Sequence, residues 1–173
     1  MAKRDLPTQE YLQARLSYEP ETGQFHWLHN QGGRDAWNTR FEGKRAGGLT
    51  CGGRYWEIHI DDVGYYAHRV AYVWMQGPIP QGIEVDHWDL DGTNNRWSNI
   101  RAATRGQNLA NTRGSSALGN PKGTYQHRSG KFVARLSTVG YKSYIGIYPT
   151  REEAAAAYLA EAQRRYGEFA RGD

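Results

Sequence analysis

The chain has 173 residues, 38% of them apolar and 23% charged, a composition suited to one soluble globular domain or two small ones; its longest apolar run, Val70–Met75, is far short of the ~20 residues of a membrane span. One cysteine, Cys51, excludes an internal disulfide framework and a multi-cysteine zinc site, and the opening MAKRDLPTQEY has no apolar secretory core, so a reducing, cytoplasmic setting is expected. The net charge of +4 hides an asymmetry: residues 1–100 carry 10 Lys+Arg against 13 Asp+Glu, and residues 101–173 carry 12 against 5.

In chain order, residues 8–18 set Tyr11, Leu12, Arg15 and Leu16 at helical spacing, which predicts a short helix closed by the turn Pro20-Glu21-Thr22-Gly23. Phe25–Leu28 reads as a strand, and the Gly-, Arg- and Asn-rich stretch 29–53 as loops with room for a short strand. Arg54–Ile60 alternates and predicts a strand that turns at Asp61–Gly64 and returns through Tyr65–Ala67. Val70, Ala71, Val73 and Trp74 form an apolar helical face, ended by Gly77-Pro78. Residues 83–88 predict a strand, 89–98 a loop, 99–103 a strand and 104–112 a helix, with Thr104 and Gln107 as a capping box. Residues 113–121 read as a linker. Three strands follow, at 123–128, 131–137 and 142–148, and then a helix capped by Thr150 and Glu153 and stopped at Gly167. The expected class is α+β: domain 1–112, linker 113–121, and a β-β-β-α module 122–173.

Residues 84–91 (EVDHWDLD) place four carboxylates around His87. Phosphodiester hydrolysis needs an activated water, charge neutralisation at phosphorus and help for the leaving oxygen. Histidine accepts a proton near neutrality, carboxylate and amide oxygens suit magnesium, and an arginine fork holds phosphate. A calcium-loop reading of DHWDLDGTNNRW fails, because it puts His87 and Ser98 where an EF-hand needs Asp and a bidentate Glu. Asp89 and Asp91 read as turn-formers, and His68 as packing or hydrogen-bonding at a helix start.

Asp86-His87, Asn99 and Asn108 resemble the HNH nuclease motif in its Asp-His…Asn…Asn form, and AHRVAYVWMQGPIPQGIEVDH and DGTNNRWSNIR are similar to phage and intron-encoded HNH homing endonucleases. The resemblance implies a ββα-metal finger over 83–112. In it Asp86 and Asn108 bind one divalent metal ion, His87 is the general base, Asn99 holds the loop and orients His87, and Arg105 contacts phosphate. Many members end the motif in histidine; the Asp/Asn pair here points to Mg2+, or Mn2+, instead. Adjacent strand residues face opposite ways, so Asp86 and His87 serve one phosphate only if the strand twists or ends there.

No Asp or Glu occurs between Asp91 and Glu152, a basic stretch that suits a polyanion. Within it Phe132, Ala134 and Leu136 fall on one strand face, expected to pack on the helix through Ala155, Leu159 and Ala162 or their neighbours. The opposite face would carry Tyr125, His127, Lys131, Arg135, Lys142 and Tyr144, a surface suited to DNA. GTYQHRSGKFVARL and YIGIYPTREEAAAAY resemble the plant ethylene-response-factor (APETALA-type) DNA-binding domain, which implies that Tyr125, His127, Arg135 and Tyr144 contact DNA; Lys131 and Lys142 join them by strand parity and charge. The expected partner is double-stranded DNA, with no membrane, no protein partner, and a monomer or weak dimer in the bacterial host of a phage. A catalytically inactive DNA-binding regulator remains the alternative.

Overall fold

The computed structural model describes residues 5–114, 120–138 and 141–172, and the chain divides into two compact units, Met1–Ala102 and Ala103–Asp173. Helix α1 (Gln9–Arg15) is capped by the Thr8 hydroxyl. It is shorter than its periodicity implies, because Leu16–Glu19 becomes strand β1, paired antiparallel with β2 (Gln24–Trp27). The alternation Leu16, Tyr18 opposite Trp27, Phe25 buries all four side chains in the first unit's core, which outweighs continuing the helix. Helix α2 (Asp35–Phe41) lies in the stretch expected to be loop; Trp37 and Phe41 pack on the core, and tertiary burial overrides a glycine-rich context.

Strands β3 (Gly48–Leu49), β4 (Trp56–Ile60) and β5 (Val63–Tyr66) form an antiparallel sheet. Ile60 pairs with Val63, so β4 and β5 meet in a two-residue turn, Asp61 and Asp62, both at positive φ (49° and 62°) as such hairpins need. Helix α3 (Ala67–Gln76) buries Val70, Ala71 and Val73 and ends at Gly77, where φ is 83°. Strand β6 (Ile83–His87) ends at the histidine and shares a two-stranded sheet with β7 (Ile100–Thr104).

In the second unit, helix α4 (Arg105–Asn111) carries the expected capping box between Thr104 and Gln107. Its Ala110 packs with Ala103 and Phe169, so by packing α4 groups with the residues that follow it, upstream of the compositional boundary at 112. The expected linker 113–121 includes 115–119, which lie outside the described residues. Strands β8 (Thr124–Gln126), β9 (Phe132–Thr138) and β10 (Tyr141–Tyr148) form an antiparallel sheet with β9 central, and helix α5 (Arg151–Tyr166) packs on it. Ala134 and Leu136 meet α5 through Ala154, Tyr158 and Ala162, that is, through the expected Ala162 and the immediate neighbours of Ala155 and Leu159. No helix among the described residues is long and apolar enough to cross a membrane.

Gly23 turns the β1–β2 hairpin at φ 73°, and a Cβ there would lie 2.3 Å from the carbonyl carbon of Asn95. Gly23→Ala therefore meets both backbone strain and a backbone clash, and should cost at least about 2 kcal/mol in urea denaturation. Unchanged stability would show that the hairpin relaxes away from residue 95.

Candidate active site

Asp86 and His87 stand at the end of β6, and both are buried, at 7% and 6% exposure. Their side chains meet different partners, as strand alternation requires. Arg101 on β7 donates from Nε to Asp86 Oδ2 at 3.1 Å, and its guanidinium lies 4.5 Å from the centre of the Trp88 ring. The pair is well shielded, so removing Arg101 would leave a poorly solvated carboxylate.

The His87 ring meets His68 edge-on, with centroids 4.6 Å apart, and Tyr55 lies 6.3 Å away. His68, at the start of α3, stacks on Tyr66, and its Nδ1 is buried without a hydrogen-bond partner among the described residues. His87 Nε2 lies 3.3 Å from Asn95 Oδ1.

The loop between β6 and β7 is built on itself. Asp89 Oδ1 accepts from the Asp91 N–H, Asp91 Oδ1 from the Thr93 N–H and hydroxyl, and Asp89 Oδ2 from Asn94 Nδ2 at 2.6 Å. Leu90 takes φ 67° to close it. Asn99 ties the loop down: its Nδ2 donates to Asp89 Oδ1 and to the Asn94 carbonyl, and its Oδ1 accepts from the Asp89 N–H. Asn99 thus holds the loop, while the amide next to the His87 ring belongs to Asn95. Burial pushes the Asp89 carboxyl up, but the hydrogen bonds from Asn94, the Asp91 backbone and Asn99, together with nearby His87, outweigh it and hold it below the usual range.

Asn95, Arg101 and the His68–His87 contact carried no role in the sequence reading. Asn94-Asn95 and the Asn-Ile-Arg run were visible there only as parts of a family pattern. In the second unit, Arg105 is exposed and Asn108 half-buried on α4, three residues apart and so on one face. Lys122 caps the end of α4 by donating from Nζ to the carbonyls of Leu109 and Ala110, where a cation also suits the helix dipole.

On the sheet, Tyr144 pairs with Arg135, Lys142 with Ser137, and Tyr125 with Val133, and cross-strand partners share a face. Tyr125, Arg135, Lys142 and Tyr144 are thus on the face opposite Ala134 and Leu136, and all four are exposed. Lys131 and His127 sit at the β8–β9 turn, where the His127 N–H donates to the Lys131 carbonyl. A register shift between Tyr144 and Gly146 ends the regular pairing of that face.

Among the described residues no three of His, Cys, Asp and Glu gather as a metal centre, so a zinc-type cluster of protein ligands is not built here. The Asp86 carboxylate fits a hard cation that keeps most of its water, since one oxygen can accept from Arg101 while the carboxylate ligates.

Residues 65–110, from β5 to α4, match the sequence profile of a family described as HNH endonuclease. An uncharacterized HNH endonuclease of Acanthamoeba polyphaga mimivirus is 38% identical over 104 residues, 60% of this chain and 54% of that protein. The chain therefore spans about half the length of the curated relative it matches. No solved structure matches the chain. Asp86, His87, Asn95, Asn99 and Arg101 all lie in the segment that carries the HNH endonuclease match.

Burial holds His68 well below the ordinary histidine range, with His87 and Arg69 adding to it. Burial also lowers His87, against the opposing hydrogen bond from Asn95 and the charges of Asp89, Asp86 and Asp91. Both rings are thus neutral in the fold at pH values where the unfolded chain, titrating near ~6.5, already binds protons. This contribution to stability is complete above ~6.5 and is lost as pH falls below it. The urea midpoint should drop between pH 7 and pH 5, and less in His68→Phe; an equal drop in both would show that His68 is not held neutral.

Proposed function

We propose that the chain is a metal-dependent HNH endonuclease of the homing type, hydrolysing phosphodiester bonds in double-stranded DNA. The observation that carries this reading is His87, a neutral imidazole packed and hydrogen-bonded at the end of β6, one residue from a carboxylate, inside the segment similar to HNH endonucleases. HNH nucleases generally use a divalent ion. Asp86 offers the carboxylate oxygen for it and Asn108 is the amide that the motif resemblance adds, a donor pair suited to Mg2+ or Mn2+. When bound, the ion supplies positive charge at the phosphate and the departing oxygen.

The chain's own residues do the rest. His87 takes a proton from a water, whose oxygen forms a bond to phosphorus in line with the 3′ oxygen. The bond from phosphorus to the 3′ oxygen breaks with its electron pair, and that oxygen takes a proton from solvent. The products carry a 5′-phosphate and a 3′-hydroxyl. Asn99 keeps the 89–94 loop closed so that His87 stays placed, and Arg105 neutralises a backbone phosphate.

The second unit supplies recognition in this reading. Its exposed face of Tyr125, Arg135, Lys142 and Tyr144, with His127 and Lys131 at one end, has the charge and the stacking and hydrogen-bonding groups of a duplex reader, in keeping with the resemblance to ethylene-response-factor domains. The protein would act as a monomer or weak dimer in the cytoplasm of a host cell.

Supercoiled plasmid incubated with the protein and Mg2+ should be nicked or linearised, and EDTA should stop it; an intact plasmid with strong binding would instead identify a DNA-binding regulator. His87→Ala should lower the cleavage rate at least about 100-fold with duplex affinity within about twofold, consistent with loss of a general base. Arg135→Ala and Tyr144→Ala should weaken the footprint on a preferred site while cleavage of random plasmid persists. A footprint unchanged by both would overturn the reader assignment.

A further inference from the structure

We infer that Asn95 is a positioning residue that sets the tautomer of His87, placing the ring proton on Nε2 and leaving Nδ1 as the nitrogen that takes the proton from water. The inference rests on the reading of His87 as general base. A neutral imidazole has one N–H and one lone pair, and which nitrogen carries which follows from the partner each ring nitrogen meets. His87 Nε2 lies 3.3 Å from Asn95 Oδ1, an oxygen that only accepts. Nε2 must therefore be the donor, and Nδ1 the basic position.

The direction of the Asn95 amide is itself constrained. Asn95 Nδ2 donates to the Thr93 carbonyl at 3.1 Å, so turning the amide over would set two acceptors, its own oxygen and that carbonyl, against each other. The residue has little freedom to move away. It is 3% exposed, and its carbonyl accepts from the Tyr18 hydroxyl at 2.7 Å. Gly23 also packs directly against its backbone. On the other side, the His68 ring stands edge-on to His87 and opposes rotation of the imidazole that would exchange its nitrogens. A hairpin remote in sequence thus anchors, through residue 95, the ring on which the chemistry depends.

The sequence reading gave the orienting role to Asn99. The side-chain hydrogen bonds of Asn99 go to Asp89 and Asn94, its carbonyl accepts from the Trp88 N–H, and none of them reaches the His87 ring; that work is loop closure. Two asparagines four residues apart divide the tasks: one shapes the loop and the other selects the tautomer.

The test uses the full-length chain labelled with 15N-histidine, in long-range 1H–15N spectra at neutral pH, with the His87 signals identified by their loss in His87→Gln. The expected result is a protonated Nε2 and an unprotonated Nδ1; a proton on Nδ1, or an equal mixture, would overturn the inference whether or not the protein cleaves DNA. Asn95→Leu keeps the size and removes the acceptor. Because a catalytic histidine in the wrong tautomer can lose about four orders of magnitude in rate, kcat should fall about 100-fold or more, with KM within about twofold. Asn95→Asp restores an acceptor at the same place but sets its second oxygen against the Thr93 carbonyl, so kcat should recover in part, above Asn95→Leu and below the parent. Equal loss in both variants, or none in Asn95→Leu, would refute the role. Failure of the wild-type chain to cut plasmid would instead count against the nuclease reading, while the spectra still decide the tautomer.

Discussion

Successive residues of a strand point to opposite sides, and the proposed mechanism would have two adjacent ones, Asp86 and His87, act on one phosphate. The strand end reconciles the two demands. β6 stops at His87, and both side chains are covered, Asp86 by Arg101 and His87 by His68 and Asn95. Covering both sides of a strand end takes parts from far apart in the chain. The β1–β2 hairpin packs on residue 95, the start of α3 brings His68, and β7 brings Arg101. The first unit's core, rich in Trp, Tyr and Phe, holds these elements in place.

The loop between β6 and β7 shows how a polar segment is made rigid without a core of its own. Its carboxylates are engaged by backbone N–H groups and by Asn94 and Asn99, so the acidic cluster is mostly architecture. Gly92 lets the loop approach closely: a Cβ there would sit 2.3 Å from the Arg54 carbonyl and 2.5 Å from the Tyr55 ring. The fixed loop then presents Asn95 to His87. Burial keeps that imidazole neutral, the form a proton acceptor needs, and the nearby carboxylates partly offset the shift.

The basic stretch after Asp91 resolves into separate jobs. Arg96 donates to the Glu21 carbonyl, Arg101 pairs with Asp86, Lys122 caps α4, and Arg151 lies over the Phe132 ring. Arg105 and Arg113, on and just after α4, and Arg128, Lys131, Arg135 and Lys142, on or beside the second sheet, are exposed, and these a polyanion could reach. A charge count over the stretch overstates the basic surface, because a buried or capping cation adds to the count and not to the outward field.

Local signals carried much of the fold. The caps at Thr104 and Thr150, the stops at Gly77 and Gly167, and a reversal beginning at Asp61 are chemistry between near neighbours, so they were legible in the sequence, although the turn is two residues long where four were expected. So was the parity of the second sheet, since an alternating strand shows its two faces in one dimension. The end of α1 at Arg15 and the existence of α2 were not legible, because burial of Leu16, Tyr18, Trp37 and Phe41 against distant residues decided them. The site divides the same way. Asp86 and His87 are visible in an acidic cluster, and Asn99 through the resemblance of the Asp-His…Asn…Asn pattern to the HNH motif. Arg101 on Asp86, His68 on His87 and the division of labour between Asn95 and Asn99 came only from tertiary structure, because a ring's orientation and a carboxylate's partner are set by atoms that meet through folding, whatever their separation along the chain.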